Sequence, residues 1–209
     1  MRRISRIFIL LAVIQTSFGA LMSPLSAAPN TPPVAAAKAY FAGGCFWSME
    51  RAFEKIDGVS GAVSGFMGGT VKDPSYEEVS TGQTGHMESV EVRYDSSKVT
   101  YAQLLDVFWK NIDPLTTDAQ FCDHGPQYRT AVFYQSEEEK RLAEDSKRAL
   151  EQSNRFTSPI VTQVLHVSEF FAAEEYHQDF YKKNPVRYRF YNSTCGRTQR
   201  LEALWGPAS

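Results

Sequence analysis

Residues 41–50 read Phe41-Ala42-Gly43-Gly44-Cys45-Phe46-Trp47-Ser48-Met49-Glu50, an apolar run that breaks at two glycines and then resumes. After the break, apolar side chains recur with helical spacing at Phe46, Met49, Phe53 and Ile56. This spacing predicts a helix from Cys45 to about Ile56 with one face packed inward. Cys45 then lies in the first turn, where unpaired N–H groups and the helix dipole favour a thiolate. We interpret Cys45 as a candidate nucleophile; the alternative is an inert buried cysteine at a strand-to-helix turn.

The segments around this stretch alternate between predicted strands and helices. Residues 38–42 and 59–66 are predicted strands on either side of the Cys45 helix and begin a β-α-β unit. Capping boxes predict helices that begin after Thr100 and Ser136. Further strands are predicted at 88–94, 130–134 and 160–167, and a last aromatic-rich helix at 169–181. Alternation without internal repeats predicts a single domain with two layers, one a sheet and the other helices.

The N-terminus has the pattern of an export signal. Arginines at positions 2, 3 and 6 precede the apolar run 7–14, and small residues follow at 26–28. We predict a cleaved signal peptide at 1–28, a tether at 29–37 and a single catalytic domain at 38–209. The alternative is an uncleaved anchor, although a bilayer-spanning helix needs about 20 apolar residues. The signal predicts an exported, periplasmic protein.

Composition and motif spacing argue against several other kinds of site. The 209 residues carry a formal net charge of −2 and no basic patch, so nucleic acid is not an expected partner. The glycine-rich loop at 66–74 lacks the Ser or Thr that follows the lysine of a phosphate-binding loop. Cys122, Asp123 and His124 are adjacent, but neighbours on a short segment seldom converge on one ion, so we expect no metal and no cofactor.

Glu88 is a candidate general acid. In the strand predicted at 88–94, alternation places Glu88 on the same face as Val90, Val92 and Tyr94. Burial on that apolar face disfavours the charged carboxylate, so the pKa of Glu88 should rise and the group should hold a proton near neutral pH. The alternative is that Glu88 lies at the frayed start of the strand and is hydrated.

Three cysteines, Cys45, Cys122 and Cys195, remain after removal of the predicted signal peptide. In an oxidising compartment thiols tend to pair, and an odd number leaves one over. A structural disulfide with one free thiol and a catalytic pair with one bystander both fit this count.

Five ordered motifs extend from the cysteine stretch towards the C-terminus. They are Gly-Cys-Phe-Trp at 44–47 with Glu50, Pro-Ser-Tyr-Glu-Glu-Val at 74–79, Gly-Gln-Thr-Gly-His-Met-Glu at 82–88, Asp-His-Gly-Pro-Gln-Tyr-Arg at 123–129 and Lys-Asn-Pro at 183–185. Together they resemble the peptide methionine sulfoxide reductase A family over residues 38–205. The resemblance implies a two-layer α+β fold of ferredoxin-like type with a mixed central sheet. It also implies reduction of the S-epimer of methionine sulfoxide, in oxidised proteins and in the free amino acid, as an oxidative-stress repair activity.

The resemblance also implies a role for individual residues. Cys45 matches the catalytic cysteine and Glu88 the proton donor. The substrate-binding positions are Phe46 and Trp47 for the methyl group, Tyr76 and Tyr128 for the sulfoxide oxygen, and Asp123 for the substrate backbone. Tyr188 corresponds less clearly to a further active-site tyrosine. We expect His86 and His124 to be structural hydrogen-bonding residues near the site, and His166 and His177 to be ordinary fold residues.

The second thiol of the cycle is assigned to Cys195. Some family members carry a resolving cysteine just after the Lys-Asn-Pro motif. In this chain positions 186–189 read Val-Arg-Tyr-Arg, and the first cysteine after the motif is Cys195. It lies in a polar segment that we expect to be mobile. The expected cycle has two cysteines: a Cys45 sulfenic acid, then a Cys45–Cys195 disulfide that a thioredoxin-like donor in the export compartment reopens. Cys122 is expected to be a buried bystander, and it is the rival resolving cysteine.

Two other classes of function are consistent with parts of the sequence. A Cys-His hydrolase or acyltransferase would pair Cys45 with His86 or His124. A non-catalytic exported domain would use a Cys45–Cys195 disulfide only for stability. Neither accounts for Glu88 and the aromatic positions together. We expect a monomer without stable membrane insertion after signal cleavage.

Overall fold

A computed structural model of the chain describes residues 36–207. The strands are β1 (Ala37–Gly43), β2 (Val59–Met67), β3 (Met87–Tyr94), β4 (Ala119–Gln120), β5 (Asp123–His124), β6 (Thr130–Tyr134), β7 (Gln163–His166) and β8 (Phe171–Ala172). The α-helices are α1 (Phe46–Phe53), α2 (Tyr76–Ser80), α3 (Tyr101–Lys110), α4 (Glu137–Gln152), α5 (Phe180–Lys183), α6 (Pro185–Thr194) and α7 (Arg197–Trp205), with a 3₁₀ turn at Pro126–Tyr128.

The main sheet is mixed. It has six strands in the order β7-β6-β1-β3-β2-β8, and a separate hairpin pairs β4 with β5. Strand β3 is antiparallel to both β1 and β2 and lies between them, whereas β6 and β7 are parallel. The predicted β-α-β unit is therefore present in split form, with β3 inserted between its two strands. The predicted α+β class and mixed sheet are confirmed.

The helices α1 and α3 pack on one face of this sheet through aromatic side chains. The ring of Phe41 on β1 stacks against Phe53 of α1 at a centroid distance of 4.8 Å and against Phe108 of α3 at 5.3 Å. All three side chains are fully buried. Because such rings contribute most of the apolar area of a core, they fix the axis of α1 relative to β1. The turn between β1 and α1 is thereby held rigidly.

That turn depends on Gly44. Its φ of +74° lies in the left-handed region, and a Cβ there would lie 2.4 Å from the Cβ of Gln120. Only glycine therefore combines this backbone conformation with this close approach. The turn sets Cys45 directly at the N-terminus of α1.

The C-terminal third differs from the expected arrangement. A helix at 169–181 was expected, but Phe171 and Ala172 instead pair with the edge of β2 as β8. The Gln178 side chain accepts a hydrogen bond from the Ser64 N–H and donates to the Ser64 carbonyl, so it binds that same strand. These contacts between distant segments outweigh the local helical preference. Helix α5 begins only at Phe180.

The segment around Cys195, expected to be mobile, is also different. Helices α6 and α7 occupy it, separated only by Cys195 and by Gly196, whose φ is +70°. Pro185 lies at the first position of α6, where proline is favourable because no N–H is required there.

Among residues 36–207, no helix combines the length and the apolar character needed to cross a membrane. The predicted signal peptide at 1–28, and the tether at 29–37 apart from its last two residues, lie outside the described part of the chain.

Glu50 connects α1 to the C-terminal segment. Its fully buried carboxyl accepts a hydrogen bond from the Asp179 N–H at 3.0 Å and one from the Ser64 hydroxyl at 3.4 Å. Burial raises the pKa of Glu50 to about 7, and the hydrogen bond from Asp179 partly opposes that rise. Glu50 is therefore protonated in the folded protein at pH values at which it is ionised in the unfolded chain.

Replacing Glu50 by Gln should remove a pH dependence of stability. Between pH 4.5 and about 7 the folded state holds a proton that the unfolded state releases, so the wild-type free energy of unfolding falls as pH rises through this window. We expect Glu50→Gln to gain about 1–3 kcal/mol relative to wild type between pH 5 and pH 8. Urea unfolding at several pH values measures this gain. The exposed Glu77→Gln variant is the control, and a constant difference between Glu50→Gln and wild type would contradict the assignment.

Candidate active site

Cys45 is the N-cap residue of α1 and carries a free thiol. The residue is only 6% exposed. Burial raises the pKa of the Cys45 thiol to about 12, and repulsion from the nearby Glu88 carboxylate, when it is ionised, raises it further. The Trp47 N–H in the first turn of α1 lowers this pKa, as expected for a helix N-terminus, but burial has the larger effect, so the expected thiolate is not the resting form. Because the sulfur has lost its hydration, Cys45 rests as a neutral thiol.

Glu88 lies on β3 beside this thiol and is 3% exposed. One carboxyl oxygen accepts a hydrogen bond from the Phe46 N–H in the first turn of α1 at 3.0 Å. Burial raises the pKa of Glu88 to about 8, and the hydrogen bond from Phe46 opposes part of that rise. The buried carboxyl predicted from the alternation of the strand is present, and it holds its proton at neutral pH.

Two tyrosine hydroxyls adjoin this pair. Tyr76 is the first residue of α2 and Tyr128 closes the 3₁₀ turn. Burial raises the pKa of both phenols, and the nearby Glu88 and Cys45 raise them further when charged. Each hydroxyl therefore remains a hydrogen-bond donor at neutral pH. The structure thus brings together four of the residues that the sequence singled out.

Phe46 and Trp47 form an aromatic wall next to these polar groups. The Trp47 indole stacks on Phe180 of α5 with a centroid distance of 3.7 Å, and its N–H donates to Nδ1 of His177 at 3.1 Å. The rings of Phe46 and Tyr76 also pack against His177, at 5.1 Å and 4.2 Å. The expectation that His177 is an ordinary fold residue is therefore wrong, because it orients Trp47 and fills the space between the two rings.

Tyr191 on α6 is a site residue that the sequence did not reveal. Its hydroxyl donates to a carboxyl oxygen of Asp123 at 2.5 Å and is also within hydrogen-bonding range of the Cys45 side chain. Tyr188, considered as an active-site tyrosine, instead lies against α1, where its hydroxyl donates to Ser48 at 3.3 Å. The proline of the Lys-Asn-Pro motif marks the start of α6. Counting residues from Pro185 along this helix is therefore the sequence signal that could have shown which side of α6 carries Tyr188 and Tyr191.

The cysteines are paired differently from the expected pattern. Cys122 and Cys195 form a disulfide, and Cys45 is free. The description of Cys122 as a buried bystander is wrong, since the residue is exposed and bonded. Cys195 is 8% exposed at the C-terminus of α6. A Cys45–Cys195 bond remains a prediction for an intermediate of the cycle.

Arg197 places a buried positive charge near these residues. Its guanidinium donates to the Asn111 carbonyl and lies over the Phe121 ring, 4.5 Å from the centroid. Within residues 36–207 it takes part in no ion pair with a carboxylate. Cys45 and Asp123 are among the groups whose negative charge favours its charged form. This field would stabilise negative charge on either of them.

The two histidines that were considered as partners of Cys45, His86 and His124, do not pair with it. Nδ1 of His86 accepts a hydrogen bond from the Gly69 N–H at 3.1 Å, and its Nε2 lies 2.7 Å from the Val71 carbonyl. His86 therefore holds the glycine-rich loop and is not directed at Cys45. His124 is exposed. A Cys-His pair of the hydrolase type is not formed by either residue.

The family model for peptide methionine sulfoxide reductase matches residues 37–208. The chain belongs to the peptide methionine sulfoxide reductase family. It is 49% identical to peptide methionine sulfoxide reductase MsrA of Halalkalibacterium halodurans over 169 residues, which cover 81% of this chain and 96% of that protein. It is also 45% identical to the MsrA of Listeria innocua over 168 residues, which cover 80% of this chain and 95% of that protein.

Solved structures agree with this membership. The reduced form of Mxr1 from Saccharomyces cerevisiae superposes with a TM-score of 0.67 at 30% identity, over 74% of this chain and 89% of that one. Methionine sulfoxide reductase A of Corynebacterium diphtheriae superposes with a TM-score of 0.66 at 30% identity, over 74% of this chain and 77% of that one. The chain is accordingly a thiol-dependent methionine sulfoxide reductase, as the five motifs implied, and the hydrolase and purely structural readings are set aside.

The pKa of Glu88 predicts a pH dependence of the sulfoxide-reducing step. A proton donor with a pKa of about 8 loses its proton as pH rises through 8, so the single-turnover rate should fall on the alkaline side. Glu88→Gln keeps an acceptor for the Phe46 N–H but has no proton to transfer. We expect it to lose about 10²–10⁴ in rate and to lose the alkaline decline.

Rapid-quench measurement of methionine release from pH 6 to pH 9.5 tests this prediction. Glu77→Gln, a change at an exposed carboxylate, is the control and should keep the wild-type profile. A wild-type rate that does not decline above pH 8, or a Glu88→Gln variant with the same decline, would show that another group supplies the proton.

Proposed function

We propose that this enzyme reduces the S-epimer of methionine sulfoxide in exported proteins, with Cys45 as nucleophile and Glu88 as proton donor. The observation that carries the assignment of roles is the hydrogen bond from the Phe46 N–H to the buried carboxyl of Glu88. It places an acid that is protonated at neutral pH at the helix terminus that carries the thiol. A sulfoxide oxygen is a poor leaving group unless it gains a proton, and this geometry provides one next to the attacking sulfur.

The reducing step then balances as follows. The Cys45 sulfur attacks the sulfoxide sulfur, so that an S–S bond forms, and Glu88 gives its proton to the sulfoxide oxygen. The oxygen then passes to the Cys45 sulfur, as both the S–O bond of the substrate and the new S–S bond break. The products are methionine and a Cys45 sulfenic acid. Cys45 has been oxidised by two electrons and the substrate sulfur reduced by two. The proton that the Cys45 thiol loses passes through the Tyr191 hydroxyl to the Asp123 carboxylate. Exchange with water then removes this proton from Asp123 and returns one to Glu88, so that no net proton is consumed.

Selectivity for one epimer follows from the two different sides of this site. Tyr76, Tyr128 and Glu88 present donors for an oxygen, whereas Phe46 and Trp47 present aromatic faces for a methyl group. Exchanging oxygen and methyl on the sulfur would leave the donors facing a methyl group. An unpaired buried donor costs about 1–3 kcal/mol, so two such donors are sufficient for strong discrimination.

The sulfenic acid must then be resolved. Attack by the Cys195 thiol on the Cys45 sulfenic sulfur forms the Cys45–Cys195 disulfide and releases water. Tyr191, which lies within hydrogen-bonding range of Cys45, is four residues before Cys195 on the same helix, so this thiol is attached close to the reacting sulfur. An external dithiol protein of the thioredoxin type would supply the two electrons that reopen the disulfide.

Turnover of each purified epimer of a methionine sulfoxide peptide with dithiothreitol tests the substrate assignment. We expect consumption of the S-epimer only, and complete loss of activity in Cys45→Ser, which removes the nucleophile and keeps the side-chain size. His86→Asn serves as a control for the glycine-rich loop and should retain catalysis if it folds. Reduction of the R-epimer at a similar rate, or an active Cys45→Ser, would contradict the proposal.

Export of the enzyme is part of the same proposal, and it rests on the residues at 1–28. Arginines ahead of a short apolar run, with small residues after it, support cleavage after Ala28. Expression of the full chain in a Gram-negative host, followed by fractionation and intact-mass analysis, should give a periplasmic protein that begins at Pro29. Replacing Leu10 and Leu11 by Arg should block export. Intact Met1 in the cytoplasm contradicts the proposal, and an uncleaved chain in the membrane fraction supports the anchor.

A further inference from the structure

The Cys122–Cys195 disulfide connects two segments that both contact the active site. Cys122 directly precedes Asp123, and Cys195 directly follows α6, which carries Tyr191. The Tyr191 hydroxyl, which donates to Asp123, lies within hydrogen-bonding range of Cys45. The same pair of segments is thus joined twice, once by the disulfide and once by a hydrogen bond beside the Cys45 side chain.

The three cysteines differ in their exposure. Cys45 and Cys195 are 6% and 8% exposed, whereas Cys122 is an exposed residue. A protein reductant needs to reach a sulfur atom along the axis of the disulfide bond, so Cys122, the exposed residue of the pair, is the side that it can approach. The Cys122 N–H also donates to the Cys195 sulfur at 3.2 Å. That hydrogen bond would stabilise Cys195 as the leaving thiolate when Cys122 is attacked.

We propose that Cys122 is a third redox residue, which takes over the disulfide from Cys45 and presents it at the surface to the reductant. This inference rests on the proposed function, because it begins from the Cys45–Cys195 intermediate. It replaces the two-cysteine cycle expected from the sequence. The Cys122–Cys195 pair is then the form of the enzyme that awaits reduction.

The added steps balance. The Cys122 thiolate attacks the Cys195 sulfur of the Cys45–Cys195 disulfide, so a Cys122–Cys195 bond forms and Cys45 leaves and regains a proton. No net oxidation occurs in this exchange. An external dithiol then attacks the Cys122 sulfur, Cys195 leaves as a thiolate, and the second thiol of the donor displaces Cys122. The donor becomes a disulfide, and the enzyme regains three thiols.

The competing interpretation is a permanent disulfide that only stabilises the fold. In that case Cys195 is never free to attack the Cys45 sulfenic acid, and the chain has no remaining cysteine to resolve it. The reductant would then have to reach a sulfur on a residue that is 6% exposed. The two interpretations differ in the location of the disulfide after one turnover, which is directly measurable.

The experiment is single-turnover disulfide mapping of the fully reduced enzyme. One equivalent of sulfoxide peptide is added, the reaction is acid-quenched, free thiols are alkylated after denaturation, and peptides are identified by mass spectrometry. We expect Cys122–Cys195 in wild type and Cys45–Cys195 in Cys122→Ser. Cys195→Ser is the matched control. Like Cys122→Ser it cannot form the Cys122–Cys195 disulfide, but it should leave a Cys45 sulfenic acid that dimedone traps.

Turnover with thioredoxin gives a second readout. Cys122 is tethered to the Cys45–Cys195 disulfide and acts at an effective concentration of about 1 mM. In Cys122→Ser, thioredoxin at about 10 µM has to attack that disulfide directly, so turnover should slow by about 10²-fold. A thioredoxin variant that lacks its second cysteine should form its mixed disulfide with Cys122 of the wild type.

The outcomes separate this inference from the proposed function. Cys45–Cys195 in the quenched wild type, a mixed disulfide on Cys45 or Cys195, or wild-type turnover of Cys122→Ser overturns the role of Cys122 while leaving sulfoxide reduction intact. A wild-type enzyme that releases no methionine in the first turnover overturns both. A lower unfolding temperature shared by Cys122→Ser and Cys195→Ser, with the predicted difference in disulfides, supports the role of Cys122.

Discussion

The hydrogen bond from the Phe46 N–H to Glu88 is the contact on which the site depends. It joins the first turn of α1 to the middle of the sheet, and it satisfies a helix N–H that has no partner within the helix. Both groups are buried, so neither has water as a substitute partner. The stacked core of Phe41, Phe53 and Phe108 holds the two elements at the spacing that this bond requires. Cys45 and Glu88 are therefore positioned by the core of the protein and not by loops.

Burial raises the pKa of both Glu88 and Cys45, with different consequences for the two groups. It raises the pKa of Glu88 to about 8, which gives the acid a usable proton at neutral pH. It raises the pKa of Cys45 to about 12, which keeps the thiol neutral in this state of the protein. A neutral thiol reacts slowly with adventitious oxidants, since the thiolate is the reactive form. In the proposed mechanism, the Tyr191–Asp123 pair beside the sulfur takes up the proton of the thiol when a substrate is bound.

The sequence predicted those parts of this arrangement that depend on local periodicity. Alternation along β3 predicted a buried Glu88, and helical spacing after Gly44 predicted α1 with Cys45 at its start. Both capping-box positions also began helices. The same reasoning was wrong at 169–181, because pairing of Phe171 with β2 and the Gln178 bonds to Ser64 depend on residues about 100 positions away. It was wrong about the pKa of Cys45 because the helix N-terminus was considered without the cost of desolvation.

The residues that sequence reasoning missed or assigned to another role have one feature in common, since each takes part in a contact between distant segments. His177 contacts Trp47 across 130 positions, Tyr191 contacts Asp123 across 68, and Cys122 bonds Cys195 across 73. Apart from the spacing between Pro185 and Tyr191, these contacts leave no local pattern in the chain. All three nevertheless join the C-terminal segment to the Cys45 helix or to the Asp123 motif. The C-terminal third therefore lies against the residues around Cys45, and its two links, from Tyr191 to Asp123 and from Cys195 to Cys122, hold α6 beside the segment that carries Asp123.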